Sequence, residues 1–121
     1  MGKSQQRKGA DGERELAELL RQYGYQTERS PSQNYGTAPD ITGLPGVHIE
    51  CKRNEKLNIQ QAMQQAVDDA ERFHDGMPVV FHRRNRHPWL VTMLLSDFMK
   101  LYGEMNDVPD NMERIEHNDS V

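Results

Sequence analysis

One cysteine, Cys51, is present, so an internal disulfide is excluded and no thiolate cluster can hold zinc. Long apolar runs are missing too: no stretch approaches the roughly 20 apolar residues of a membrane-spanning helix. The start, MGKSQQRKGADGERE, is polar and charged where a secretion signal would be apolar. No internal repeat is visible, and His48, His74, His82, His87 and His117 show no metal-ligand spacing. These absences leave the expectation of a soluble, cytoplasmic protein without a membrane partner. Its 121 residues suffice for one core and not for two.

A positive charge balance is lacking as well. The net charge is −4 and the pI about 5.7, which argues at first against a nucleic-acid partner. The distribution reverses that impression. Over 104–121, six acids stand against one base, Arg114, a balance of −5 that leaves the remaining body at +1. The body's bases cluster as Lys3, Arg7, Lys8 and Arg14, then Lys52, Arg53 and Lys56, then Arg83, Arg84 and Arg86. Such clusters can face phosphates even when net charge is small, although solvated faces have the same composition.

Periodicity predicts a helix over 10–23 after a polar arm, because Leu16, Leu19, Leu20 and Tyr23 recur at helical spacing and Gly24 supplies a stop. A short strand over 26–30 and a Ser, Asn, Gly and Pro-rich loop over 31–39 follow. Two strands, over 40–42 and 47–53, are expected to form a hairpin turning at Gly43, Pro45 and Gly46. A second helix over 59–74 aligns Ile59, Ala62, Met63, Ala66, Ala70 and Phe73 along one stripe. Strands over 79–83 and 89–95 flank a basic loop, and Ser96 reads as the N-cap of a last helix over 97–102. This order describes one α/β domain over 1–103, a mixed sheet with helices packed on it. The acidic segment 104–121 has no core pattern and is expected to be a flexible tail.

The chemistry falls on the second hairpin strand. Alternation in Val47-His48-Ile49-Glu50-Cys51-Lys52 sends Val47, Ile49 and Cys51 to one face and His48, Glu50 and Lys52 to the other. Glu50 and Lys52 therefore point the same way, roughly 7 Å apart along the strand. Asp40, after Pro39, lies at the start of the partner strand, where a tight turn would bring it beside Glu50. Two carboxylates can hold Mg²⁺, a hard cation that prefers oxygen and retains water. Such an ion lowers the pKa of water and neutralises charge on a phosphorane. Lys52 could then orient the attacking water or stabilise the transition state; its service as the base stays open.

Glu13 shares a helical face with Leu16, Ala17 and Leu20, which turns it toward the sheet. A carboxylate there needs a partner or a metal, although an acid near a helix N-terminus also complements the dipole.

The segment Lys8-Gly9-Ala10-Asp11-Gly12-Glu13-Arg14-Glu15-Leu16, then Arg29-Ser30, Pro39-Asp40 and Glu50-Cys51-Lys52, resembles the archaeal-type Holliday junction resolvases and their phage relatives. These belong to the PD-D/E-x-K, or restriction-endonuclease-like, superfamily. The resemblance runs from about Lys8 to Leu95. It implies that Glu13, Asp40 and Glu50 bind metal, with Mg²⁺ the cofactor and Mn²⁺ a substitute, and that Lys52 is the catalytic lysine. It also implies that Arg14 and Arg29 meet DNA phosphates, that the protein is a homodimer acting in DNA recombination, and that branched DNA is its partner inside a bacterial, archaeal or phage-infected cell. Lys56, Arg83, Arg84 and Arg86 extend the expected DNA surface. The acidic tail and the modest basic surface depart from the family pattern. They leave room for another PD-D/E-x-K task, such as nicking, end trimming or restriction, and for a non-catalytic DNA-binding module.

Other conspicuous residues take plainer readings. His48 is the one histidine on the active-site face. Asp68 and Asp69 read as a solvated helix face, Cys51 as core, and Met63, Met93 and Met99 as packing. Gln60, Gln61, Gln64 and Gln65 border the site or face solvent or a second subunit.

Overall fold

The computed structural model describes residues 2–31 and 36–107, with side chains from residue 9 onward. The elements in order are α1 (Gly2–Gln22), β1 (Glu28–Arg29), β2 (Ile41–Thr42), β3 (Val47–Lys52), α2 (Ile59–Phe73), β4 (Met77–His82), β5 (Leu90–Met93) and α3 (Leu95–Met105).

The first helix starts earlier than periodicity predicts. Residues 2–9 are mostly Lys, Gln, Arg and Ser, which tolerate a helix well but carry no apolar stripe to announce it. Gly12, buried on α1, permits a close approach to the end of β3: a Cβ there would lie 2.8 Å from the Cβ of Arg53, the residue that follows the strand.

The expected hairpin is not how β2 and β3 are joined. β2 pairs antiparallel with β1, matching Glu28 with Thr42 and Arg29 with Ile41. The Ser30 amide donates to the Asp40 carbonyl at 2.9 Å, and the Ser30 hydroxyl donates to the Pro39 carbonyl. β3 instead runs parallel to β4 along six residues, from Val47 opposite Met77 to Lys52 opposite His82. The physical reason is length. α2 supplies the crossover a parallel pair needs, and six paired residues outweigh anything the two-residue β2 could offer. β5 closes the far edge antiparallel to β4, so the main sheet is mixed, in the order β3-β4-β5.

Two packed layers cover this sheet. On one face Leu16 and Ala17 of α1 meet Ile41, Ile49, Val79 and Phe81. On the other, Ala62 and Ala66 of α2 lie on Val80, and small side chains let the helix sit close. Asn58 caps α2 by accepting the Gln61 amide at 3.1 Å. Ser96 does not cap α3: the helix begins at Leu95, with Leu94 as an extended cap residue that makes no side-chain cap bond. β5 ends at Met93, so the chain has to turn at once, and Asp97 complements the dipole in the first turn. α3 runs across the expected boundary at residue 103 to Met105, and the tail expected over 104–121 lies outside the described residues from 108 onward. Among the described residues no helix is long and apolar enough to cross a membrane.

Candidate active site

β3 is buried on both faces, which is why its alternation matters. Ile49 and the half-buried Cys51 pack toward α1, while His48 and Glu50 face α2 and are both buried although polar. Glu50 and Asp40 line one cavity of about 210 Å³, together with Ala38, Pro39, Gln65 and Asp69. The exposed Asp40 is carried there by the loop that ends at Pro39 and by β2, which β1 holds in register.

Lys52 joins the site through Glu50, its Nζ 3.8 Å from Glu50 Oε2. Glu13 joins it through Asp40. Burial first, and the neighbouring Asp40 carboxylate second, push the Glu13 carboxyl above its ordinary value; Arg29, donating its Nε–H to Glu13 Oε1 at 3.1 Å, offsets part of that. The four expected residues thus form a row, Glu13 beside Asp40, Asp40 and Glu50 on one cavity, and Lys52 beside Glu50. Burial, with Glu13, Asp40 and Glu50 around it, pushes the Cys51 thiol up to about 12.

This donor set fits a hard divalent cation, since carboxylate oxygens are what Mg²⁺ takes and the crowding that raises Glu13 is relieved by positive charge. Among the described residues the group whose ligand atoms all lie within 4.8 Å of one another is His48, Glu50 and Asp69, so Glu13, Asp40 and Glu50 are set along one row and not drawn into one cluster, and Asp69 adds a carboxylate beside Glu50. Asp69 is not a merely solvated residue. Its position three after Ala66 and seven after Ala62 continues the stripe that packs on the sheet, a signal legible in the sequence. Asp68 does face outward, accepting from Gln64 Nε2 at 3.0 Å.

The expected DNA contacts divide. Arg14, Lys56, Arg84 and Arg86 are exposed, Arg14 also holding Asp11 at 2.8 Å. Arg29 is tied to Glu13, and Arg83 is tied to Glu15 and to the His87 carbonyl. Glu15 went unnoticed in the sequence. It accepts from Arg83 and from Trp89 Nε1 at 2.9 Å, and Arg53 stands 3.6 Å away, so it fastens α1 to the far ends of β3 and β4.

No curated protein matches the chain. Among solved structures it is similar to Archaeoglobus fulgidus Hjc, a Holliday junction resolvase from an archaeal hyperthermophile, with a TM-score of 0.53 and 24% identity, covering 74% of this chain and 75% of that one. The likeness carries the fold, a restriction-endonuclease-like mixed sheet flanked by helices. The family model described as "Phage putative PDDEXK endonuclease" matches residues 4–118. The chain belongs to this phage PDDEXK family and is, with it, a metal-dependent DNA endonuclease.

Proposed function

We propose that the chain is a Mg²⁺-dependent, structure-selective endonuclease that resolves four-way DNA junctions by paired nicks, acting as a homodimer inside the infected or host cell during recombination. The observation that carries the reading is the meeting of Asp40 and Glu50 on one cavity, with Glu13 beside the first and Lys52 beside the second.

Glu13, Asp40 and Glu50 would hold the cation, Mg²⁺ or Mn²⁺. When bound, it supplies a Lewis acid for the phosphate and lowers the pKa of the attacking water. Lys52, on the same strand face as Glu50, directs its ammonium at the reacting phosphate and steadies the charge that builds on it. Arg14, Lys56, Arg84 and Arg86 meet the DNA backbone from exposed positions, and Arg29 and Arg83 reach it from beside their internal partners.

Two sites are needed for two cuts. Edge strand β5 and helix α3 expose Leu90, Val91, Leu95, Phe98, Tyr102 and Met105, an apolar surface of the kind that partners cover. That surface supports a dimer, and the fold shared with Hjc, a Holliday junction resolvase, supports a resolving task. The net charge of −4 favours the second reading, a family nuclease with another task such as nicking or end trimming.

The test is cleavage of a four-way junction beside nicked, linear duplex and single-stranded DNA, with Mg²⁺ and with EDTA. Symmetric nicks on opposing strands of the junction, lost in EDTA, are expected. Preference for linear duplex would select the second reading.

A further inference from the structure

Beneath Glu50 lies a second row of polar groups that the proposed chemistry does not use. His48 and Glu50 stand on the same face of β3 with side chains only 2% and 8% exposed. An imidazole so buried needs partners for both nitrogens. His48 has them: Nε2 lies 3.0 Å from Glu50 Oε1, and Nδ1 lies 2.8 Å from Asp75 Oδ2 and 3.0 Å from Oδ1. The Phe73 ring stacks on the imidazole, centroids 6.3 Å apart.

Asp75 is brought there by the turn between α2 and β4. His74 ends the helix in the left-handed conformation, with φ 51° and ψ 44°. Gly76, at φ +129°, packs so tightly on the start of β3 that a Cβ would lie 2.3 Å from the carbonyl carbon of Gly46. The Met77 amide then donates to the Gly46 carbonyl at 2.9 Å. The turn is thereby fixed against the strand that carries His48, and Asp75, between its two constrained neighbours, closes on the imidazole.

We propose that His48 and Asp75 are positioning residues for Glu50: Asp75 holds the imidazole, and the imidazole holds Oε1 of the carboxylate, so that Oε2 stays turned to the cation and to Lys52. The inference rests on Glu50 being a cation ligand. Without the imidazole only Lys52, 3.8 Å from Oε2, would restrain the plane of the Glu50 carboxylate, and a carboxylate whose plane is set in advance loses less freedom on binding. Ligating carboxylates are themselves held by hydrogen bonds from outside the coordination sphere, and loss of a supporting partner of this kind weakens metal binding about 10–100-fold.

The experiment measures Mn²⁺ binding to the DNA-free protein by electron paramagnetic resonance of the free ion, with a thermal melt on each variant. Asp75→Ala should weaken Mn²⁺ about 10–100-fold. Asp75→Asn, which keeps an oxygen acceptor for the ring N–H, should recover most of the loss. His48→Ala should match Asp75→Ala; if it does not fold, the Asp75 variants decide alone, since that side chain is 25% exposed. Glu50→Gln should bind far more weakly than any of them. Lowered melting temperature with unchanged Mn²⁺ affinity in Asp75→Ala, alongside a Glu50→Gln protein that no longer binds, would overturn the positioning role while leaving the ligand role of Glu50 intact. Wild-type affinity in Glu50→Gln would overturn the ligand role itself, and this inference with it.

Discussion

Glu13 pays no obvious structural dividend where it stands. Its side chain is 19% exposed, the Asp40 carboxylate adjoins it, and Arg29 is the arginine paired with it. With its folded pKa raised by burial and then by Asp40, ionising Glu13 costs stability: the two states are equal in this respect below the unfolded value, and the folded state loses ground as pH rises through that value toward the folded one. Glu13→Gln still accepts from Arg29 and carries no charge. The metal-free variant should therefore melt higher than wild type at pH 8 and nearly level with it at pH 4. Added Mg²⁺ should raise the melting temperature of wild type and hardly that of the variant. A variant that melts lower at pH 8 would mean that the Glu13–Arg29 pair outweighs the strain. Alternation orders Glu50 and Lys52 on one face of β3 and helical spacing turns Glu13 inward, whereas Asp40 was expected beside Glu50 through a hairpin that does not form, so its place on the same cavity comes from the fold. His48 could be assigned to the right face, but its tie to Asp75 depends on a turn 27 residues away and leaves no trace in local spacing.

At the scale of elements, helix and strand periods with turn signals were enough to find the elements of the described residues and to predict a mixed sheet with helices on it. They did not reveal strand partners. A six-residue strand reads the same whether its neighbour is the two-residue β2 or the distant β4, so the parallel pairing had to come from the fold. Helix ends were misjudged for a related reason, since 2–9 lacks an apolar stripe and α3 begins without a side-chain cap. The α1–β3 contact is the joint on which the site depends, because α1 carries Glu13 and β3 carries Glu50. Gly12→Ala puts a methyl 2.8 Å from Arg53 Cβ, on a side chain with limited room to yield. We expect a loss of about 1–3 kcal/mol, as for an overpacked interior, measured by urea unfolding. Cleavage should fall further than the lost stability explains, because Glu13 shifts with the helix. Leu16→Ala, which opens the core without crowding the joint, should cost roughly 2–5 kcal/mol and spare the activity of the folded fraction. Equal specific activities in the two variants would argue against the joint.

For the whole molecule, charge is arranged more than accumulated. Exposed arginines on the loop between β4 and β5 give that end of the sheet a basic rim, despite the net charge of −4. If Arg84 and Arg86 each meet a phosphate, removing either should lower the slope of log affinity against log salt by about one. Arg83→Ala should lower the melting temperature as well, since Glu15 then loses one of the partners that fasten α1 to β3 and β4. An unchanged slope for Arg84→Ala and Arg86→Ala would move the DNA to another face. The proposed chemistry needs four side chains, Glu13, Asp40, Glu50 and Lys52, acting as one hydrolytic centre. Its most direct test is the rate of strand cleavage of a labelled four-way junction in Mg²⁺ by wild type and by Lys52→Ala, with binding measured on the same preparations. The prediction is Mg²⁺-dependent cutting by wild type, junction affinity in the variant within a few-fold, and cleavage at least about 100-fold slower, as when an electrostatic stabiliser is removed. A Lys52→Ala protein that binds the junction and cuts it at the wild-type rate would contradict the account.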